Sequence, residues 1–131
     1  MIIDTHAHML PQSTLEALRS ESNNFPSINL IESEEKYQLS FNGEKPTRPI
    51  MPKLRMFLER EQFLLNNAID LQISGGWLDS FGYEIEPEEG ADWSRFLNEG
   101  MLTDCKGRDE LVPLATVPMQ SGKLAAKVLQ E

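Results

Sequence analysis

The chain has 131 residues, with 12 basic side chains against 21 acidic ones and a formal net charge of −9. That length holds one modest domain with a real core, and that charge disfavours phosphate-backbone binding, which needs clustered Lys and Arg, so nucleic acid is excluded as a partner class. A single cysteine, Cys105, rules out an internal disulfide and fits a reducing compartment; with no run of about 18 apolar residues and no leader-like opening, the expected setting is cytoplasmic, away from membranes.

In chain order, residues 1–5 read as a first strand, built on Ile2-Ile3. His6 and His8, the only two histidines, follow at its end and are closed off by Leu10-Pro11, which cannot continue as strand. Residues two apart on an extended strand point to one side, so both imidazoles can reach one point in space. Imidazole is the commonest protein ligand for zinc and its neighbours, and a catalytic centre adds about one more protein ligand and an open position. The pair is therefore half of a candidate metal site; a solvated or merely packed pair is the alternative. Asp4 reads either as orienting a ligand histidine or as capping the turn.

Residues 13–20, with Leu15 and Leu18, suggest a short helix or turn. The period then changes to alternation across 27–50, with Tyr37, Leu39 and Phe41 against Gln38 and Ser40, and Asn42-Gly43 is a strong hairpin signal because both positions tolerate positive φ. A small antiparallel sheet of two or three strands is predicted there. Pro46, Pro49 and Pro52 punctuate a loop, and Pro52 opens a helix to about Asn67. In that helix Met51, Leu54, Phe57, Leu58, Leu65 and Ala68 recur at helical spacing, with Arg55, Glu59, Arg60 and Gln62 outward.

Residues 69–74 form the next predicted strand, ended by Gly75-Gly76. An acidic loop over 84–89 leads to Asp92 as a helix N-cap, after which Trp93, Phe96, Leu97, Met101 and Cys105 share a face and Gly107 supplies the stop. Residues 111–117 make a third strand, and a last helix starts near Ser121 with Leu124, Val128 and Leu129 as its inner face. This strand-helix alternation is an α/β pattern whose functional groups lie at the carboxyl ends of parallel strands. His6, His8, Gly75-Gly76-Trp77 and Thr116-Val117-Pro118-Met119-Gln120 are expected around one cavity there, with Cys105 a core thiol on the opposite face.

Asp4-Thr5-His6-Ala7-His8-Met9-Leu10-Pro11 resembles the opening of the amidohydrolase-related metal enzymes of the aminocarboxymuconate-semialdehyde decarboxylase type, where a strand ends in D-x-H-x-H-x-[hydrophobic]-P. Glu110-Leu111-Val112-Pro113-Leu114-Ala115-Thr116-Val117-Pro118-Met119-Gln120 is similar to that family's third barrel strand, which commonly reads F-x-G-L-x-T-[LV]-P-[ML]-Q. The two motifs come in the family's order, and the likeness spans essentially the whole chain. It implies the N-terminal portion of a (β/α)8 TIM barrel over residues 1–131, about three strand-helix units, with the 27–50 insert placed over the barrel mouth. A complete barrel needs roughly 250 residues.

The activity implied is metal-dependent decarboxylation of an unsaturated or aromatic carboxylic acid; relatives hydrolyse or hydrate on the same scaffold, and dimers are frequent among them. A divalent ion, zinc first and manganese or another as alternatives, is held in such enzymes by the His-x-His pair, here His6 and His8, a later histidine and a late aspartate. It polarises a substrate oxygen or lowers the pKa of bound water from ~16 to ~7. Arg48 lies near where the family carries an arginine for the substrate carboxylate, a task suited to a planar charged fork; a solvated loop arginine is the alternative. Trp77 with Phe81 is a candidate aromatic wall, against simple packing, and Met119 a further substrate contact.

The family's third histidine has no counterpart in this chain. The remaining ligands and the catalytic acid or base are expected beyond Glu131, since Asp79, Asp92 and Asp104 fall at no predicted strand end. These residues alone are expected to bind metal weakly, not to turn over, and to leave a sheet edge uncovered. A non-catalytic fragment or binding module, with the pair a remnant, is the reading from the other class.

Overall fold

A computed structural model describes residues 1–34 and 36–131. In chain order it runs β1 (Ile3–Met9), α1 (Gln12–Glu21), β2 (Ile28–Ser33), β3 (Lys36–Phe41), α2 (Pro52–Arg55), α3 (Phe57–Asn66), β4 (Leu71–Gly76), α4 (Pro87–Cys105), β5 (Leu111–Pro113) and α5 (Gly122–Gln130), with single 3-10 turns at Ser22–Asn24 and Leu78–Ser80. Strands β1, β4 and β5 form a parallel sheet in that order, and β2 and β3 form a separate antiparallel pair. Parallel neighbours need a crossover, and α4 supplies it between β4 and β5. The α/β class and the antiparallel insert after the first strand are as the alternation predicts.

Strand β1 extends to Met9 and so contains both histidines, beyond the expected 1–5. It carries a bulge: Asp4 pairs with Gln72 and Ala7 with Ser74, three steps on β1 against two on β4. Bulges re-aim side chains and recur next to functional sites.

Ser33 faces Lys36 at the closed end of the β2–β3 ladder. The Asn42-Gly43 signal that follows β3 is a turn, as expected, with φ of +53° and +70°. It sends the chain back along β3, where Thr47 N–H donates to Leu39 O at 2.8 Å and Ile50 N–H to Tyr37 O at 2.7 Å.

The predicted helix to Asn67 breaks at Met56, whose extended φ/ψ of −104°/120° separates α2 from α3. Its buried stripe also differs: Met51, Leu58 and Leu65 are exposed, while Leu64 and Arg60 are buried. Arg60, expected outward, points into the protein because enough acceptors lie inside for its guanidinium (below). The helix α4 starts at Pro87 with Glu86 as its N-cap, so half of the acidic loop is helical and Asp92 lies inside the helix. Pro at the first position and Glu88 and Glu89 in the first turn favour this earlier start.

Strand β5 ends at Pro113, short of 117. Past it, the Asn98 side chain takes the place of a strand partner, accepting from Thr116 N–H at 2.7 Å and donating to Thr116 O at 2.9 Å. In α5, Val128 is buried as expected, but Leu129 is exposed.

Two apolar clusters hold these elements. The larger joins α1, the insert and α4 through Leu15, Leu18, Ile28, Leu39, Phe41, Trp77, Trp93 and Leu97. Trp93 anchors it, stacked on Phe96 with centroids 5.4 Å apart and donating its indole N–H to Ser80 O at 2.7 Å. The smaller lies against the sheet and comprises Met9, Leu64, Met101, Cys105 and Leu111. Ile3 on β1 and Val112 on β5 remain partly exposed.

Candidate functional site

The two imidazoles converge. Their Nε2 atoms stand 3.3 Å apart, with ring planes at 88°. Two nitrogens each about 2.0–2.1 Å from one tetrahedral zinc are themselves about 3.3–3.4 Å apart, a spacing this separation matches. It also suits a hydrogen bond from His6 Nε2–H to His8 Nε2 in the metal-free protein.

His8 Nδ1 lies 3.0 Å from the carbonyl of Gly76, at the end of β4. A carbonyl can only accept, so His8 Nδ1 carries a proton, and in the neutral ring the lone pair is then on Nε2. Ligand histidines characteristically have the second nitrogen held this way. Gly76 thus belongs to the site through its backbone, which no side-chain motif could announce; its register opposite Met9 brings it there.

Under the pair runs a polar network, buried at Arg60 and Gln72 and open to solvent at Asp4 and His6. Arg60 Nη1 donates to Gln72 Oε1, and Gln72 Nε2 donates to Asp4 Oδ2 at 2.7 Å. Asp4 Oδ1 accepts the backbone N–H of His6 at 3.1 Å, and Arg60 Nη2 donates to the backbone carbonyl of His8 at 2.7 Å. Asp4 therefore holds the backbone of His6 rather than a ring. Gln72, then the His6 N–H, keep the Asp4 carboxyl below the usual carboxylate range. Burial pulls the Arg60 guanidinium below its ordinary value, though arginine stays charged in proteins.

Asp4, His6, His8, Lys53, Glu59 and Arg60 are among the residues lining a groove of about 240 Å³. Among the described residues no group of three or more His, Cys, Asp or Glu side chains is gathered to hold a metal.

The other candidates are not among the residues that line this groove. Arg48 is paired with Asp79, Nε to Oδ2 at 2.8 Å and Nη2 to Oδ1 at 2.9 Å. Trp77 is packed in the larger core cluster, and Met119 is exposed. The segment 116–120 is held by Asn98 and by Gln120 Nε2 donating to Ile85 O at 3.3 Å. Cys105 is buried, and burial raises its thiol pKa.

The three parallel strands with their returning helices and hairpin define part of a TIM-barrel architecture. No protein-family model matches the sequence, and no curated protein matches it. Among solved structures, the apo form of Metarhizium anisopliae IDCase is similar over 99% of this chain, with a TM-score of 0.69 at 14% identity. This chain spans 38% of that one. The likeness is one of fold. Among the described residues no helix is long and apolar enough to cross a membrane.

Proposed function

We propose that this chain is the N-terminal part of a metal-dependent carboxy-lyase acting on an unsaturated or aromatic carboxylic acid, in which His6 and His8 supply two imidazole ligands to a divalent ion, zinc in the first place. One observation carries the reading: the Nε2 atoms lie 3.3 Å apart while Gly76 O holds the other nitrogen of His8. The motif resemblance in the sequence supplies the reaction class, and the fold likeness agrees with it.

When bound, the ion would polarise an oxygen of the substrate and so give the electrons left by departing carbon dioxide a place to go. The chain's own residues present two ring nitrogens, hold the second nitrogen of His8 and hold both ligand backbones. Arg48 is assigned the substrate carboxylate. Asp79 occupies the Nε/Nη2 edge of its guanidinium, which leaves the Nη1/Nη2 edge for a second carboxylate. Met119 is assigned an apolar contact.

The test is made on the full-length parent. His6→Ala and His8→Ala are expected to lose zinc by elemental analysis together with carbon dioxide release from an aromatic carboxylate. A variant that keeps both would reject the ligand assignment. A parent that holds zinc but hydrolyses or hydrates instead would reject the reaction class alone.

A further inference from the structure

We infer that Arg60 is a positioning residue for the histidine pair, acting through the backbone at both ligands; the inference rests on the metal reading above. The bulge in β1 falls between Asp4 and Ala7 and so includes His6. A bulge disrupts the ladder locally and leaves backbone groups to find other partners, and among the described residues β1 has β4 alone as a ladder neighbour. Side chains supply those partners here. The N–H of His6 goes to Asp4 Oδ1 at 3.1 Å, and the carbonyl of His8 receives Arg60 Nη2 at 2.7 Å. Gln72 links the two, taking Arg60 Nη1 on its oxygen and giving its nitrogen to Asp4 Oδ2 at 2.7 Å.

One guanidinium thus spans the pair, directly at His8 and through Gln72 and Asp4 at His6. A cation buried this deep, 7% exposed, is unusual beside a cation site. Its charge opposes a metal ion, so its presence is accounted for by its fork of donors. Lysine has the charge without the fork and cannot bond Gln72 and His8 in the same planar geometry.

The experiment uses the full chain with zinc alone. Because His6 and His8 are the only histidines, their ring nitrogen and carbon-bound proton resonances report both metal binding and tautomer without overlap. Arg60→Lys and Arg60→Met are expected to weaken zinc binding about 10–100-fold, the usual effect of losing a group that orients a ligand. Both are also expected, without metal, to shift His8 from its single Nδ1–H form to a mixture of tautomers.

Unchanged zinc affinity in both variants overturns the inference, as does tighter binding in Arg60→Met with no change in Arg60→Lys, the signature of charge alone. If either Arg60 variant fails to fold by circular dichroism, Asp4→Ala tests the same chain of bonds from its more accessible end, with the same expected weakening and the same overturning result. Where the wild-type chain, which holds only two of the ligands, binds zinc too weakly to compare, the metal reading is decided on the full-length parent as above. The metal-free tautomer comparison then decides the Arg60 role by itself: a mixture in the variants supports it, and an unaltered Nδ1–H form overturns it.

Discussion

Asp79 and Arg48 face each other through two parallel hydrogen bonds, joining the loop after β4 to the segment that follows the hairpin. Each partner stabilises the charge of the other: Arg48 lowers the Asp79 carboxyl and Asp79 raises the Arg48 guanidinium. If the free edge of Arg48 binds substrate, Arg48→Ala in the full-length parent is expected to raise KM about 10-fold or more while zinc content stays constant. Loss of zinc without a KM effect would contradict that assignment.

Trp93 is 1% exposed and pinned at its indole nitrogen. Trp93→Ala is expected to cost about 3–5 kcal/mol in urea denaturation. Trp93→Phe keeps most of the ring contact but orphans the Ser80 carbonyl, and should cost about 1–3 kcal/mol. A loss below 1 kcal/mol for the alanine variant would mean this cluster is not the main core.

Gly82 has φ of +63°, and a Cβ placed there would stand 2.8 Å from Phe41 Cε1. Gly43 has φ of +70° with nothing within 4 Å of such a Cβ. Gly43→Ala should therefore lower stability by about 1–2 kcal/mol, from backbone strain alone. Gly82→Ala adds a clash and should lower it further. Thermal melts giving the reverse order would reject the close approach of Phe41 to this loop.

The Asp4 carboxyl is depressed by Gln72 and by the His6 N–H. A carboxyl whose folded pKa lies below its unfolded value of about 3.9 adds stability that is present above that pH and is lost as pH falls through the folded value. Wild type should exceed Asp4→Asn in Tm at neutral pH, and the gap should close below about pH 4. A gap that persists in acid would show that the variant acts through packing.

Burial raises the Cys105 thiol. Reaction with a disulfide reagent at pH 8 should be slow in the folded chain and track unfolding as urea is added. Fast labelling without denaturant would place Cys105 at the surface.

The pattern of elements was legible because apolar periodicity and glycine or proline punctuation act locally, as at Asn42-Gly43 and Pro52. The histidine pair was legible for a similar reason, since spacing two on a strand is a local geometric fact. Arg60 was misassigned because charge normally marks the wet side of a helix, yet it sits three residues after Phe57 and four before Leu64, within the apolar stripe. That spacing was the available signal. Glu86, Pro87 and the acids that follow likewise marked the true start of α4 ahead of Asp92. The Gly76 carbonyl and the Asn98 clamp depend on register between distant strands and helices, which no short stretch of sequence encodes.

The stretch after Gly43 forms no regular strand but is fastened like a third one. Thr47 exchanges two bonds with Leu39, N–H to O at 2.8 Å and Oγ1 from N–H at 3.0 Å, and Ile50 is tied to Tyr37. Arg48 is thus carried between two fixed rungs, and the tether from Gly43 to Thr47 works as a gauge. Adding one residue to it would slip the rungs and swing the arginine to the other side, so this short stretch should accept changes of letter far more readily than changes of length.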